Sequence, residues 1–326
     1  MSRVFVLSAW TAFGLALIGA LFWTLDVSLG QVIAAALSTP PLAFFTVVIL
    51  TFLNKVVGML KWRAAARHIA DPGEVPSALR MIELTALGAF LGQLLPLQVA
   101  TLLSRWLLLD SSGRKSGLAV RATIFEQVFD LIILTGGTVA GLLMLILGLS
   151  MTGAFGALVG VVGILLVFFR PLLRFGVWSL RRLERVQALS GFCGTAAAGF
   201  SRAADAPWAV VFSLCSYSLA RLVLVGLRAV VILGVFAPTT AAWFVFVASP
   251  GIGLLTALPV TPAGLGVAEW TWSAVLVLGG TTASVAAIAA VNVRLVGMLA
   301  QLLVVFAVSA ARYLSEQYHQ PRRPLL

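Results

Sequence analysis

Apolar runs of bilayer-crossing length recur along almost the whole chain, and no other feature constrains its fold so strongly. Crossing a hydrocarbon core takes about 20 mostly apolar residues as a helix. Runs of this kind occupy roughly 4–25, 41–60, 119–147, 153–170, 207–235 and 285–311. Charged residues make up only 10% of the 326 and hydrophobic ones 61%, whereas a soluble domain carries about 25% charged residues. So few charges cannot cover a water-facing surface. The expectation is an all-α polytopic membrane protein, a single membrane domain over 1–326 with no room for a separate soluble domain. Only Arg3 precedes the first run. That run outlasts the roughly 7–15 apolar residues of a signal-peptide core, so an uncleaved first helix is expected.

Two further apolar stretches do not read as simple spans. The stretch at roughly 83–109 is interrupted by Gln93, Pro96 and Gln98. The stretch at roughly 240–280 is interrupted by Ser249-Pro250-Gly251 and by Pro259-Val260-Thr261-Pro262-Ala263-Gly264-Leu265-Gly266. Proline removes a backbone donor and clashes with the preceding turn, and glycine loosens the backbone. Broken backbone at membrane depth is tolerated where protein buries it or where it lines a wet cavity. Both stretches are therefore expected to be re-entrant helical hairpins. With the six full spans they make about eight membrane-embedded segments.

The charge balance is lopsided, with 22 Lys and Arg against 11 Asp and Glu and a net charge of +11. In a soluble protein that excess would suggest nucleic acid. Here there is no aromatic-studded basic groove and no Gly-rich phosphate loop, so no nucleic-acid partner is expected. The positive-inside rule and attraction to anionic lipid explain the excess instead. Eighteen basic residues (Arg3, Lys61, Arg63, Arg67, Arg80, Arg105, Arg114, Lys115, Arg121, Arg170, Arg174, Arg181, Arg182, Arg185, Arg202, Arg312, Arg322 and Arg323) fall on one side of the threading. The opposite loops, near 26–40, 148–152, 236–242 and 280–284, carry none. This asymmetry places both termini in the cytoplasm of a bacterial-type cytoplasmic (inner) membrane. The resulting order, span–span–hairpin–span in each half, is that of an inverted-topology repeat with its hairpin tips near the midplane. The pseudo-repeats are roughly 1–150 and 151–311, followed by a cytoplasmic tail over 312–326. Trp23, Trp62, Trp178, Trp208 and Trp243 fall near span ends and are expected in the aromatic belt.

Charges remaining inside apolar sequence mark the candidate site. Four are basic, Lys55, Arg221, Arg228 and Arg294, and three are acidic, Glu126, Asp130 and Glu269. Such residues face a bundle interior or a water-filled cavity. Lys55, near a span end, is expected to snorkel and to be structural. Glu126 and Asp130, four apart, share a helix face, and Arg221 and Arg228, seven apart, nearly share another. Glu269 opens the half-helix after the Pro/Gly break, where free N–H groups favour an anion. Structural salt bridges account for these pairs as well as a site does. Glu126 also reads as a capping-region carboxylate near the cytoplasmic surface. Gly137/Gly141 and Gly156/Gly160 fit small-residue helix packing. His68 and His319 read as isolated and solvated. Cys193 falls in a cytoplasmic connector and Cys215 in an apolar helix, with no metal-ligand spacing and no expected disulfide. The 181–205 connector reads as an interfacial helix or a solvated linker.

The segment from Pro259 to Glu269 resembles the Pro-x-x-Pro-x-Gly-x-Gly-x-x-Glu signature of the lysylphosphatidylglycerol synthase transmembrane-region family. Asn292-Val293-Arg294 resembles that family's next-helix arginine, Glu126-Gln127-Val128-Phe129-Asp130 its Glu-Arg-x-x-Asp segment, and Lys61-Trp62-Arg63 its basic-Trp turn. The resemblance covers nearly the whole chain and implies a multi-spanning, inverted-repeat protein implicated in lipid flipping. Some members are fused to a soluble aminoacyl transferase; others occur beside glycosyltransferase or hopanoid systems. Two departures stand out. The family's first hairpin often reads Pro-x-Arg-x-Gly-Glu, where this chain has Pro96-Leu97-Gln98-Val99-Ala100-Thr101, and Gln127 replaces the arginine of Glu-Arg-x-x-Asp. A charged half-site is thereby expected to be neutral. No aminoacyl-transferase domain is present, so lysine transfer to lipid is not expected.

The expected function is therefore that of a flippase or transporter, moving a lipid or lipid-linked head group across the membrane through a midplane polar cavity. The candidate translocation residues are Gln93, Gln98, Glu126, Asp130, Arg221, Arg228, Pro259, Pro262, Gly264, Gly266, Glu269 and Arg294. The substrate would be a membrane phospholipid or a polyprenyl- or hopanoid-type lipid, and a homo-oligomer is left open. No cofactor, metal or catalytic residue is expected. The alternatives are a small-solute secondary transporter, an intramembrane lipid-modifying enzyme using Glu126/Asp130 as acid and base, and a non-transporting accessory of a glycosyltransferase or hopanoid system.

Overall fold

The computed structural model describes the backbone of residues 3–69, 75–93, 95, 97–109, 114–184, 190–257 and 261–319. It describes the side chains of residues 13–69, 75–93, 95, 99–105, 118–150, 152–184, 193–194, 197–257, 261 and 263–317. These residues form thirteen α-helices, with no strand among them. The first half contains α1 (Arg3–Thr24), α2 (Leu29–Leu37), α3 (Pro41–Ile69), α4 (Ala78–Leu91), α5 (Leu97–Leu109) and α6 (Arg114–Leu147). The second contains α7 (Met151–Val167), α8 (Phe169–Leu183), α9 (Ser190–Ala204), α10 (Trp208–Phe236), α11 (Ala242–Ala257), α12 (Val267–Leu278) and α13 (Ala283–His319). A turn of 3-10 helix, Pro262–Gly264, separates α11 from α12.

Four helices are long and apolar enough to cross a bilayer unbroken: Pro41–Ile69, Leu118–Leu147, Trp208–Phe236 and Ala283–Gln317. The other two expected spans are bent pairs, α1 with α2 at 94° and α7 with α8 at 49°. The expected 26–40 loop is thus corrected, because it contains a helix. Gln31 N–H donates to Ser28 Oγ at 3.2 Å and Ser28 N–H donates to Gln31 Oε1 at 2.8 Å, the reciprocal cap that starts a helix. α2 buries Val32, whose carbonyl accepts from Asn292 Nδ2 of α13 at 3.4 Å. Of the two readings of the 181–205 connector, the structure takes the helical one, since α8 reaches Leu183 and α9 occupies 190–204, with Cys193 buried. α3 and α13 overrun their expected ends at 60 and 311, because no Pro or Gly stands there to stop them.

The helices meet in a reciprocal pattern. α3 and α10 pack along one another, α6 lies against α11, and α13 lies against α4. Each interrupted pair, α4 with α5 and α11 with α12, folds back on itself. Leu42, Phe45, Ile49, Phe52 and Leu60 stay exposed on α3, the apolar outer face expected of a helix in lipid. Inside, Phe125, Phe129 and Phe169 stack in series, with centroids 5.4 and 5.0 Å apart, in the largest core cluster.

Two sequence readings of breakers and glycines change. Ser249-Pro250-Gly251 does not interrupt α11, which runs through Pro250. The carbonyl that Pro250 leaves without its backbone donor is that of Phe246, four residues back. Ser249 Oγ donates to it at 2.9 Å, which removes the cost of the break. The helix then fits against α6 because Gly137 and Gly141 have no side chains. A Cβ at Gly137 would lie 2.9 Å from Pro250 Cβ, and one at Gly141 would lie 2.7 Å from the Val247 carbonyl oxygen. Gly156 and Gly160 differ, since a Cβ on either would meet nothing within 4 Å. Among the described residues they make no close helix contact, so the packing reading is corrected for that pair.

Trp62 also leaves the aromatic belt. Trp23, Trp178, Trp208 and Trp243 are exposed, Trp23 at 86%, but Trp62 is only 1% exposed. Lys61-Trp62-Arg63 is not a turn, because α3 continues through it. His68 is half-buried, 6.0 Å from the Phe125 ring, and the side chain of His319 lies outside the described residues.

Candidate functional site

The interrupted pairs border a single cavity of about 690 Å³. Gly92, Gln93, Thr101 and Arg105 line it from the first pair, and Thr256, Ala257, Ala268 and Glu269 from the second. α3, α6, α10 and α13 supply most of the remaining walls, with Phe200 of α9. Of the expected site residues, Gln93, Glu126, Asp130, Arg221, Arg228, Glu269 and Arg294 all line this space. Pro96 and Leu258–Val260, with Pro259, lie outside the described residues, as do the side chains of Gln98 and Pro262. Gly264 and Gly266 shape the wall from behind rather than lining it.

α6 presents two carboxylates, and both are engaged. Asp130 Oδ2 accepts from Arg221 Nη1 at 2.8 Å, and Asp130 Oδ1 lies 2.7 Å from Lys61 Nζ. Lys61 is completely buried. Asn54 steadies the arginine, its Oδ1 accepting from Arg221 Nε at 3.4 Å and its Nδ2 donating to the Arg221 carbonyl at 3.5 Å. Gly58 leaves the room this needs, since a Cβ there would lie 3.6 Å from Arg221 Nε and 3.2 Å from Thr85 Cγ2. One turn earlier on α6, Glu126 Oε1 accepts from Arg105 Nη1 at 2.5 Å. The same nitrogen donates to Thr123 Oγ1 at 2.9 Å, and the guanidinium carbon stands 4.1 Å from the Trp62 ring centroid. Arg105 is 2% exposed.

These contacts overturn two sequence assignments. Lys61 and Arg105, counted among loop cations, are buried side chains of the bundle. A buried charge is costly unless paired or hydrated, and the partners of these two come from another helix, α6. The first-half wall is also not neutral. Gln93 and Thr101 are uncharged, but Arg105, one turn beyond Thr101 on α5, brings a cation to the same wall. Glu126 lies well inside α6 with its side chain buried, and is not a capping carboxylate.

The second wall is clamped by Glu269 and Arg294. Glu269 is in the first turn of α12, and its Oε2 accepts from the Gly266 N–H at 2.8 Å, closing the helix start. Its other oxygen accepts from Arg294 Nε on α13. The rest of the guanidinium fork binds the loop itself. Nη1 and Nη2 donate to the Ala263 carbonyl at 3.3 and 3.2 Å, and Nη2 donates to the Gly264 carbonyl at 3.2 Å. Those carbonyls turn inward because Ala263, Gly264 and Gly266 have positive φ, at 54°, 64° and 78°. Such backbone suits glycine far better than alanine. α1 covers the outside, with a Cβ at Gly266 placed 2.3 Å from Leu17 Cβ and Trp270 Nε1 donating to the Leu17 carbonyl at 2.9 Å. The pair therefore fixes the loop and half-helix as one piece.

Lys55 is the residue that sequence reasoning set aside and the structure brings in. It is 8% exposed and lines the cavity beside Arg228. Position near a span end suggested snorkelling. α3 continues to Ile69, however, which leaves Lys55 in mid-helix with no route to the surface. The only sequence signal for this was the absence of a breaker between Leu60 and Ile69.

The cavity wall thus holds five cations, Lys55, Arg105, Arg221, Arg228 and Arg294, against three carboxylates, Glu126, Asp130 and Glu269. Among the described residues no group of three or more His, Cys, Asp and Glu could hold a metal ion, and Cys193 and Cys215 are both free. No curated protein and no solved structure matches the chain. A family model does, the Lysylphosphatidylglycerol synthase TM region, over residues 11–304. That match spans both interrupted helix pairs and every charged wall of the cavity, and the chain belongs to the lysylphosphatidylglycerol synthase transmembrane-region family.

Proposed function

We propose that this protein moves a lipid or lipid-linked polar head group across the cytoplasmic membrane through the cavity between the two interrupted helix pairs. The observation that carries this reading is the cavity itself, a space of about 690 Å³ lined by charged side chains inside an otherwise apolar bundle. A polar head group gains there the hydrogen bonds it loses on leaving water, while acyl chains stay in lipid along the apolar outer faces. Element order supports the transport reading. A bent pair, a long helix, an interrupted pair and a long helix occur in both halves, α9 being the one insertion. This is the sequence of parts in transporters built from inverted repeats. In this reading both termini are cytoplasmic and the interrupted pairs re-enter from opposite sides.

Catalysis is the weaker reading. An acid–base pair needs carboxylates free to exchange protons, whereas Glu126 and Asp130 are both held in ion pairs. Transport of a small solute through the same cavity is distinguished by uptake into liposomes without labelled lipid.

The test fills the passage. Gly297 lines the cavity, and a Cβ on it would meet nothing within 4 Å. Gly297→Phe should therefore assemble normally while occluding the space. Reconstituted wild-type protein should make fluorescent phospholipid in the inner leaflet accessible to an external quencher, and Gly297→Phe should abolish that exposure. A folded Gly297→Phe protein that exposes lipid at the wild-type rate would remove the cavity from the pathway.

A further inference from the structure

The cavity carboxylates are all used internally. Glu126 is held by Arg105, Asp130 by Lys61 and Arg221, and Glu269 by Arg294. Two cations are left over. Among the described residues, neither Lys55 nor Arg228 makes an ion pair or a hydrogen bond, and both line the cavity. Lys55 is more than nine-tenths buried, and its nearest charged neighbours are Arg221 and Arg228, both of its own sign. Packing of α3 against α10 brings these charges together. Among the described residues, no carboxylate pairs with Lys55 or Arg228.

A buried cation beside another of like charge is unfavourable unless something neutralises it. The remaining polar side chains that line the cavity near α10 and α11, Ser218, Ser249 and Thr256, are uncharged. The described wall supplies no carboxylate for Lys55 or Arg228, so an anion that enters the cavity would supply the counter-charge. Lysine and arginine differ as anion partners, the one a compact point charge and the other a planar fork of donors, and together they suit a phosphate oxyanion.

We propose that Lys55 and Arg228 form an anion subsite that takes the phosphate of the substrate, a monoester or diester oxyanion. The subsite rests on the reading of the cavity as a head-group passage, and it narrows the cargo to phosphate-bearing lipids. Glu269 and Arg294 then serve as scaffold for the opposite wall rather than as the head-group anchor.

The experiment measures equilibrium binding to purified, detergent-solubilised full-length protein with three probes: phosphatidylglycerol, diacylglycerol and inorganic phosphate. Lys55→Gln and Arg228→Gln should each weaken phosphatidylglycerol binding by about tenfold or more, the scale of one charge-assisted hydrogen bond. Lys55→Arg should retain most of it, and diacylglycerol binding should not change in any variant. Inorganic phosphate that competes in the wild type but not in the double variant also supports the subsite and shows that the oxyanion alone suffices. Folding is not at risk in these variants, because each removes an unpaired cavity cation, buried at Lys55 and half-buried at Arg228. Without ligand, their melting temperatures should equal or exceed that of the wild type. Wild-type phosphatidylglycerol affinity in the folded double variant, or an equal loss for diacylglycerol, overturns the proposal. Charge-dependent binding without lipid exposure in proteoliposomes would keep the subsite and remove the transport reading. Lipid exposure with binding indifferent to Lys55 and Arg228 would do the reverse.

Discussion

Glu126→Gln should cost the protein far more than a single buried amide would suggest. The substitution keeps the shape and removes the charge that balances Arg105. That guanidinium is 2% exposed, enclosed by Glu126 Oε1 at 2.5 Å, Thr123 Oγ1 at 2.9 Å and the Trp62 ring at 4.1 Å. Removing one partner of a buried pair costs about 3–5 kcal/mol, because the other charge remains buried and uncompensated. The indole face retains part of the stabilisation, roughly 1–2 kcal/mol at a desolvated site, and it stays in both proteins. The expected loss is therefore about 3 kcal/mol. Domains of 150–250 residues lose about 2–4 °C per kcal/mol, and longer chains lose less, so the melting temperature should fall by about 4 °C. Replacing both partners, Arg105→Met with Glu126→Leu, removes the charge along with its counter-charge and should be close to neutral. The assay is thermal unfolding of detergent-purified wild type, both single variants and the double, read as a double-mutant cycle. A Glu126→Gln protein that melts with the wild type, or a double variant as unstable as the single, would refute the account of Arg105 as a cation held by Glu126.

Two further outcomes test other parts of the molecule. Gly266→Ala should abolish monodisperse protein on size-exclusion chromatography, because φ is 78° and the added Cβ would lie 2.3 Å from Leu17 Cβ; normal yield and elution would show that α1 does not seal this loop. In a cysteine-free background, single cysteines near 112 should label from the cytoplasmic side and near 282 from the exterior, and labelling of both from one side would end the inverted-repeat reading.

Much of the fold is legible in the sequence because membrane helices announce themselves locally. The runs at 41–60, 119–147, 207–235 and 285–311 are each part of an unbroken spanning helix, since twenty apolar residues in lipid have few alternatives. The contact of Glu269 with Arg294 is also legible, from a helix start and a charge at equal depth on the next helix. The inferences that fail are those that treat each residue by its type alone. Counting Lys61 and Arg105 as loop cations ignores partners that arrive from α6 in the fold, and no local pattern states that Asp130 and Glu126 point at them. Pro250 reads as a breaker although the remedy stands next to it, in the hydroxyl of Ser249. Gly156 and Gly160 have the spacing of Gly137 and Gly141, but only Gly137 and Gly141 meet another helix, and spacing cannot say which pair will.

Placing Lys61 and Arg105 in the bundle leaves the orientation argument intact, because it depends on the loops that carry no Lys or Arg rather than on the exact tally opposite them. It changes the electrostatics of the passage more deeply. Arg221 and Arg228 lie seven positions apart on α10, about 10 Å along the axis. Arg221 shares the single charge of Asp130 with Lys61; Arg228 has no carboxylate partner among the described residues. An anion bound as proposed at Arg228 and Lys55 would meet two unpaired basic side chains, and one that advanced toward Arg221 would meet a guanidinium already paired with Asp130. Conduction requires binding strong enough to admit a ligand and weak enough to release it. In the proposed passage, α3 and α10 together would supply the stronger station, Lys55 with Arg228, and α10 the weaker one, Arg221, with Asp130 setting how steeply affinity falls between them.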